Sequence, residues 1–148
     1  MPVNPELVGR SFPPTPPYLV GREKVREFAR AVFAEAPMHT DLDAARAAGF
    51  DDVVAPPTFA IVLQDQTLQQ LLAEPDSGIV LSRTIHGEQK FDYVRPIVAG
   101  DELTAQLQVS AVRAVGANSM VTSECVVRDA AGERVVTATS ILFIGEDA

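Results

Sequence analysis

Residues 53–75 read VVAPPTFAIVLQDQTLQQLLAEP, and this stretch decides the fold. Pro56 and Pro57 suit the first turn of a helix, because amides there have no partner inside the helix. From Thr58 to Leu63 the residues are apolar almost all round, and only the second half turns rich in glutamine. A helix apolar around its circumference must be buried, so the spacing predicts a central helix over about 57–73 that lies inside the fold. From Ile79 onward the period changes from helical to two. Leu103, Ala105, Leu107, Val109 and Ala111 alternate with Thr104, Gln106, Gln108 and Ser110, as in a strand with one wet face. Similar runs fill about 79–95, 118–129 and 133–144. They are separated by Pro96/Gly100, Gly116–Asn118 and the small polar hairpin loop Asp129–Gly132. Helices followed by four long strands joined through short turns predict a single α+β domain, an antiparallel sheet with one buried helix against its face.

Toward the N-terminus, the proline-rich residues 1–17 read as an extended arm, since proline has no amide to donate. REKVREFARAVFAEA (22–36) places Val25, Phe28, Ala29, Val32 and Phe33 at i, i+3, i+4, i+7 and i+8. That is an amphipathic helix, expected to run until Pro37 stops it. Thr40 with Asp43 three residues on resembles a capping box, and Gly49 supplies a stop, so a short second helix is expected near 41–48.

Composition narrows the function classes. The chain has 148 residues, 47% hydrophobic and 22% charged, the balance of a globular domain with one core. No apolar run approaches the ~20 residues that span a bilayer, and no secretory signal is readable, so a cytoplasmic protein is expected. A net charge of -8 argues against nucleic acid, whose phosphates are neutralised by Lys and Arg. Cys125 is alone, in an alternating apolar stretch, and reads as a buried, inert thiol. Neither clustered metal ligands nor Walker or Rossmann glycines occur, and no metal or cofactor is expected.

Two histidines are the candidates for proton transfer. His39 lies between two helices at a break marked by Pro37, where a side chain can enter a cleft; a capping role competes with a catalytic one. His86 lies within a strand. By strict alternation it shares a face with Thr84, Glu88 and Lys90, leaving Ile85, Gln89, Phe91 and Tyr93 on the other. Gly87 beside it suggests a bulge or a close approach by another group. No G-x-S-x-G elbow exists, and the pairs Asp41/Asp43 and Asp51/Asp52 read as cap or loop charges. A cleft histidine such as His39 is expected to contribute chemistry rather than stability, and the strand residue His86 to contribute stability as well.

Three segments carry a family resemblance. PMHTDLDAARAAGFDDVVAPPTF (37–59) resembles the catalytic segment of MaoC-like (R)-3-hydroxyacyl-thioester hydratases, G-D-x-N-P-x-H-x-D, which leads into their central helix. HGEQKFDYVRPIVAGDEL (86–103) resembles the histidine-and-glutamine strand and R-P-x-x-x-G-D of the N-terminal MaoC-type dehydratase domain. YLVGREKVREFARAV (18–32) resembles the first helix of small actinobacterial proteins in that group, which include subunits of a (3R)-hydroxyacyl-ACP dehydratase. The likeness spans about residues 5–145.

The resemblance implies a hot-dog fold, an antiparallel sheet wrapped around a long helix, and pairing through the sheets. It also implies an acyl chain running beside the helix, with Pro57, Thr58, Phe59 and Gln89 among the residues that meet it. In catalytic relatives an Asp and a His position water, and an amide at the start of the central helix holds the enolate oxygen. Pro37, His39 and Asp41 match that motif, whereas Ala34 occupies the aspartate position, Glu35 stands one residue off, and Ala36 replaces the asparagine. The amide position falls near Pro56, and neither Pro56 nor Pro57 has an N–H. The implied function is an acyl-thioester-binding subunit of a (3R)-hydroxyacyl-ACP or -CoA dehydratase in fatty-acid metabolism, with an incomplete catalytic site, as a heterodimer with a catalytic MaoC-like chain or a homodimer. Alternatives are a self-sufficient homodimeric hydratase using His39, helped by Glu35 or His86, and a non-enzymatic acyl-thioester-binding module; a thioesterase fits the R-P-x-x-x-G-D strand less well.

Overall fold

A computed structural model describes residues 2–146. Five strands, β1 (Tyr18–Leu19), β2 (Thr84–Tyr93), β3 (Glu102–Val115), β4 (Asn118–Arg128) and β5 (Arg134–Ile144), form an antiparallel sheet in the order β1-β3-β4-β5-β2. Helix α3 (Ile61–Leu72) lies on one sheet face and buries Leu63, Gln64, Thr67 and Leu71. This is the hot-dog architecture. The helix starts four residues later than its prolines suggest. Residues 57–60 form a separate turn, with the Phe59 amide on the Pro56 carbonyl at 2.9 Å.

Helix α1 (Arg22–Ala31) stops well before Pro37, which corrects the expected 22–36. Phe33 adopts a left-handed φ of 56°, the Ala34 amide bonds the Ala29 carbonyl at 2.9 Å, and the Phe33 amide bonds that of Arg30 at 3.3 Å. This is a Schellman ending with phenylalanine where glycine is usual, and it turns Phe33 out to 86% exposure despite its place in the apolar repeat. Helix α2 (Leu42–Ala47) is capped by Asp41, not Thr40: its carboxylate accepts from the Asp43 and Ala44 amides at 2.8 and 3.2 Å. Gly49, at φ 95°, ends α2 as expected.

The proline-rich arm finds partners despite its missing donors. The amides of Gly9, Phe12 and Thr15, spaced three apart, donate to the carbonyls of Val109, Leu107 and Ala105 at 2.8–2.9 Å along β3. Prolines 13, 14, 16 and 17 fall between or beyond these positions, so their lack of N–H costs nothing. The arm thereby covers the β3 edge, and Arg10 ties it to Asp76 through two bonds of 2.9 and 3.1 Å. At the other side of the sheet β2 is the last strand and pairs with no further strand among the described residues, with Ile85 70% exposed.

The core has two apolar clusters. One gathers Val25, Phe59, Leu63, Ile97 and Leu103 around the start of α3. The other gathers Leu7, Phe12, Leu71, Leu107 and Leu142 under the arm. Between them runs a polar band: Gln89 of β2 pairs across to Ser140 of β5, Ser140 to Ser123 of β4, and Gln64 and Thr67 of α3 close over it.

Candidate active site

His39 sits in a 3-10 turn, Pro37–His39, that three contacts hold. Arg26 Nε of α1 donates to the Thr40 carbonyl at 2.8 Å, the Val54 amide to Met38 at 2.9 Å, and His39 Nδ1 to the Val54 carbonyl at 2.6 Å. A carbonyl can only accept, so Nδ1 carries the hydrogen and Nε2 is the atom able to take a proton. The imidazole is 5% exposed at the base of a cleft of about 390 Å³, bounded by Met38, Phe50, Pro57, Tyr93 and Pro96. No lining residue among those described is an Asp or Glu.

Tyr93, which sequence reading only assigned to a sheet face, shapes this cleft. Its hydroxyl donates to the Pro57 carbonyl at 2.6 Å and staples the end of β2 to the turn that opens α3. Burial pushes the phenol up to about 12, countered by a contact with the Ala60 amide, so Tyr93 stays a protonated donor near neutral pH. Its sequence signal was no more than a polar-tipped aromatic at the end of a strand-like run.

His86 lies elsewhere. It lines a groove of about 750 Å³ between α1, the opening of α3 and β2, with Phe28, Thr58, Ile61, Gln89 and Phe91. The alternation expected for it is overturned. Gly87 is a bulge: His86 faces Leu142 and Glu88 faces Ile141, so one residue drops out of register. His86 therefore shares the helix-side face with Gln89, Phe91 and Tyr93, not with Glu88 and Lys90, because cross-strand neighbours share a face and Leu142, Ser140, Ala138 and Val136 all point inward. A Cβ at Gly87 would run into the Phe143 ring, so any side chain there requires that ring to move.

The remaining expected residues separate in the same way. Ala34 and Glu35 line a third, exposed depression with Arg30, Phe33 and Thr40, apart from the residues that line the His39 cleft. Pro57 faces the His39 cleft and Thr58 the β2 groove. The Thr58 amide, the first one after the two prolines, donates to no acceptor among the described residues. Phe59, expected beside the ligand, is fully buried and packs edge-to-face on Phe28 at 5.2 Å, so it belongs to the core. Gln89 is engaged in a reciprocal amide pair with the buried Gln64, at 2.7 and 3.0 Å. The R-P-x-x-x-G-D stretch is a built corner: Arg95 bonds Asp101 at 2.8 and 3.1 Å and reaches Asp129 at 3.4 Å, Asp101 accepts the Val98 amide, and Gly100 takes φ 96°. Cys125 is buried as expected, and burial raises its thiol to about 11.

Residues 6–138 match the model of the family described as FAS1-like, dehydratase domain region. The chain is 60% identical over 147 residues to a UPF0336 protein of Leifsonia xyli subsp. xyli, covering 99% of both. It is 31% identical to a chain of the C-terminally truncated HadBC (3R-hydroxyacyl-ACP dehydratase) complex of Mycobacterium tuberculosis, covering 93% of this chain and 96% of that one, with a TM-score of 0.84. It is 37% identical to a MaoC-like dehydratase, with a TM-score of 0.86, covering 93% of this chain but 42% of that longer one.

Proposed function

This chain belongs to the FAS1-like dehydratase-region family, and from that premise we propose that it is the acyl-thioester-binding subunit of a (3R)-hydroxyacyl-ACP or -CoA dehydratase in fatty-acid metabolism, working in the cytoplasm beside a catalytic MaoC-like chain. One observation carries the reading: His39 occupies an apolar cleft with no bond to its Nε2 among the described residues, yet no carboxylate among them lines that cleft and prolines fill the position of the enolate donor. Dehydration of a 3-hydroxyacyl thioester needs a base for the α-proton, an acid for the leaving hydroxyl and a donor for the oxyanion. Here a base candidate is present, while the partner chain supplies the positioned acid pair. The groove between α1, α3 and β2 holds the acyl group, with the thioester at Pro57–Thr58, where this groove adjoins the His39 cleft. The bare β2 edge is where the partner's sheet adds. The similarity to a chain of a heteromeric dehydratase complex supports this arrangement.

A second reading, a self-sufficient homodimer, is favoured by the tautomer of His39, which makes Nε2 a competent base on its own. Hydration of crotonyl-CoA separates the two. The purified chain is expected to be slow, and co-purification with a catalytic MaoC-like chain to raise the rate by at least the ~10²-fold that a positioned acid–base group contributes. Full activity of the purified chain alone would overturn the subunit reading in favour of the homodimer.

A further inference from the structure

We infer that the Gln64–Gln89 amide pair is the floor of the acyl groove and sets the longest acyl chain this protein accepts; the inference rests on the acyl-binding role proposed above. The groove that opens between α1, α3 and β2 has apolar walls, Phe28, Ile61 and Phe91, and Gln89 lines its inner part. Gln64, with no exposed surface, reaches down from α3 and exchanges both amide bonds with Gln89. Gln89 also donates to the Lys90 carbonyl at 3.3 Å, which holds it in place. Behind the pair the block continues into the sheet, where Ser140, the cross-strand neighbour of Gln89, bonds Ser123 at 2.9 Å.

An acyl chain advancing along α3 toward the second apolar cluster, around Leu71, Leu107 and Leu142, has to cross this band. Crossing means parting two buried amides whose bonds an alkyl chain cannot replace, and leaving them unpaired in a dry interior. The band is not there because bulk alone demands it, since an apolar pair of the same size would fill the space at little cost in stability. What the amides add is direction: two bonds lock both side chains across the path, where a pair of leucines could shift rotamer. The three steps of i→i+3-bonded turn from Thr58 to Ile61 and the three of helix from Ile61 to Gln64 advance about 10 Å by their rises, the length of a short acyl chain and not of a long one.

Calorimetric titration of the full chain, in its native assembly, with saturated acyl-CoA thioesters from butyryl to dodecanoyl tests this without turnover. Affinity is expected to rise about fourfold for each methylene that is buried, then to stop rising near octanoyl. In Gln64→Ala/Gln89→Ala, which removes both partners together, the rise is expected to continue through dodecanoyl. Gln64→Leu/Gln89→Ala keeps one side of the band filled, leaves no amide unpaired, and is expected to move the stop by a smaller step in the same direction; it serves if the double alanine variant does not fold. A parent affinity that keeps rising through dodecanoyl, or a folded variant whose stop does not move, would overturn the inference while leaving acyl binding intact. Failure of every thioester to bind, butyryl included, would overturn the acyl-binding role itself and this inference with it.

Discussion

The two histidines of this chain occupy opposite kinds of site. His39 is buried in a 3-10 turn, its ring tied to a backbone carbonyl, in an apolar cleft closed by Tyr93 and Pro57. His86 is exposed on the bulged end of an edge strand, beside an open groove. The contrast teaches that the hydrogen bond which holds the His39 ring also sets its tautomer, because fixing Nδ1 as donor leaves Nε2 as the nitrogen able to accept a proton. The burial of His39 and the exposure of His86 predict a larger stability cost at His39, whereas the sequence led us to expect chemistry at His39 and a stability contribution as well at His86.

The largest test of that contrast is activity. In the assembly with a catalytic chain, or in the residual activity of this chain alone, His39→Ala should cut kcat/KM for crotonyl-CoA hydration by ~10²–10⁴ if Nε2 transfers a proton. His86→Ala should cost less than about tenfold, under ~1.4 kcal/mol of transition-state stabilisation. Equal losses would erase the distinction between the sites.

Assembly comes next. The edge that carries His86 meets no further strand among the described residues, whereas the arm covers the β3 edge. Ile85→Asp should therefore shift sedimentation toward the 15.9 kDa single chain, while a charge at Ser11 on the covered edge should not. Persistence of a larger species in Ile85→Asp would place the contact elsewhere.

Stability should follow the buried histidine. His39→Ala strips a buried carbonyl of its donor and is expected to cost about 1–3 kcal/mol, a fall of several degrees in the thermal midpoint at ~2–4 °C per kcal/mol. His86→Ala, exposed, should stay within about 0.5 kcal/mol. A thermal melt of each variant decides the order.

The smallest effect is alkaline. Tyr93 and Cys125 both have folded values raised above their ordinary 10.0 and 9.0, to about 12 and about 11, by burial. A raised value means that the folded chain holds the proton more tightly than the unfolded one. The stabilisation is thus complete below about pH 9 and fades as pH climbs through 11 and 12. Tyr93→Phe should lower stability by about 1 kcal/mol at neutral pH and flatten the upper part of that decline. Denaturant midpoints measured from pH 8 to 12 check both, and an unchanged alkaline slope in Tyr93→Phe would remove the staple from the account.

How much of this was legible depended on how local its cause is. The central helix, Gly49 as a helix stop and the hairpin at Asp129–Gly132 were readable, because each is set by a few adjacent residues. The end of α1 was not, since the apolar repeat ran on to Phe33 while the chain had already turned left-handed there. For the candidate site, His39 at a proline-marked break was visible, but its tautomer depends on a carbonyl fifteen residues away. The face of His86 was misread because one bulged glycine reverses parity for everything before it.

By itself the sequence determined the class of the fold: a run apolar on all sides followed by alternating runs admits little but a helix packed on an antiparallel sheet, since each pattern has a place for its apolar surface only there. It also determined which groups particular positions cannot supply, because Ala34 has no carboxylate and Pro56 and Pro57 have no amide in any conformation. Only the tertiary structure decided what the site contains. Gln64 meets Gln89, Tyr93 meets Pro57, and the arm meets β3 across 25, 36 and about a hundred residues of chain. Contacts of that separation leave no local periodicity to read, since their partners are chosen by strand register and by the curl of the sheet.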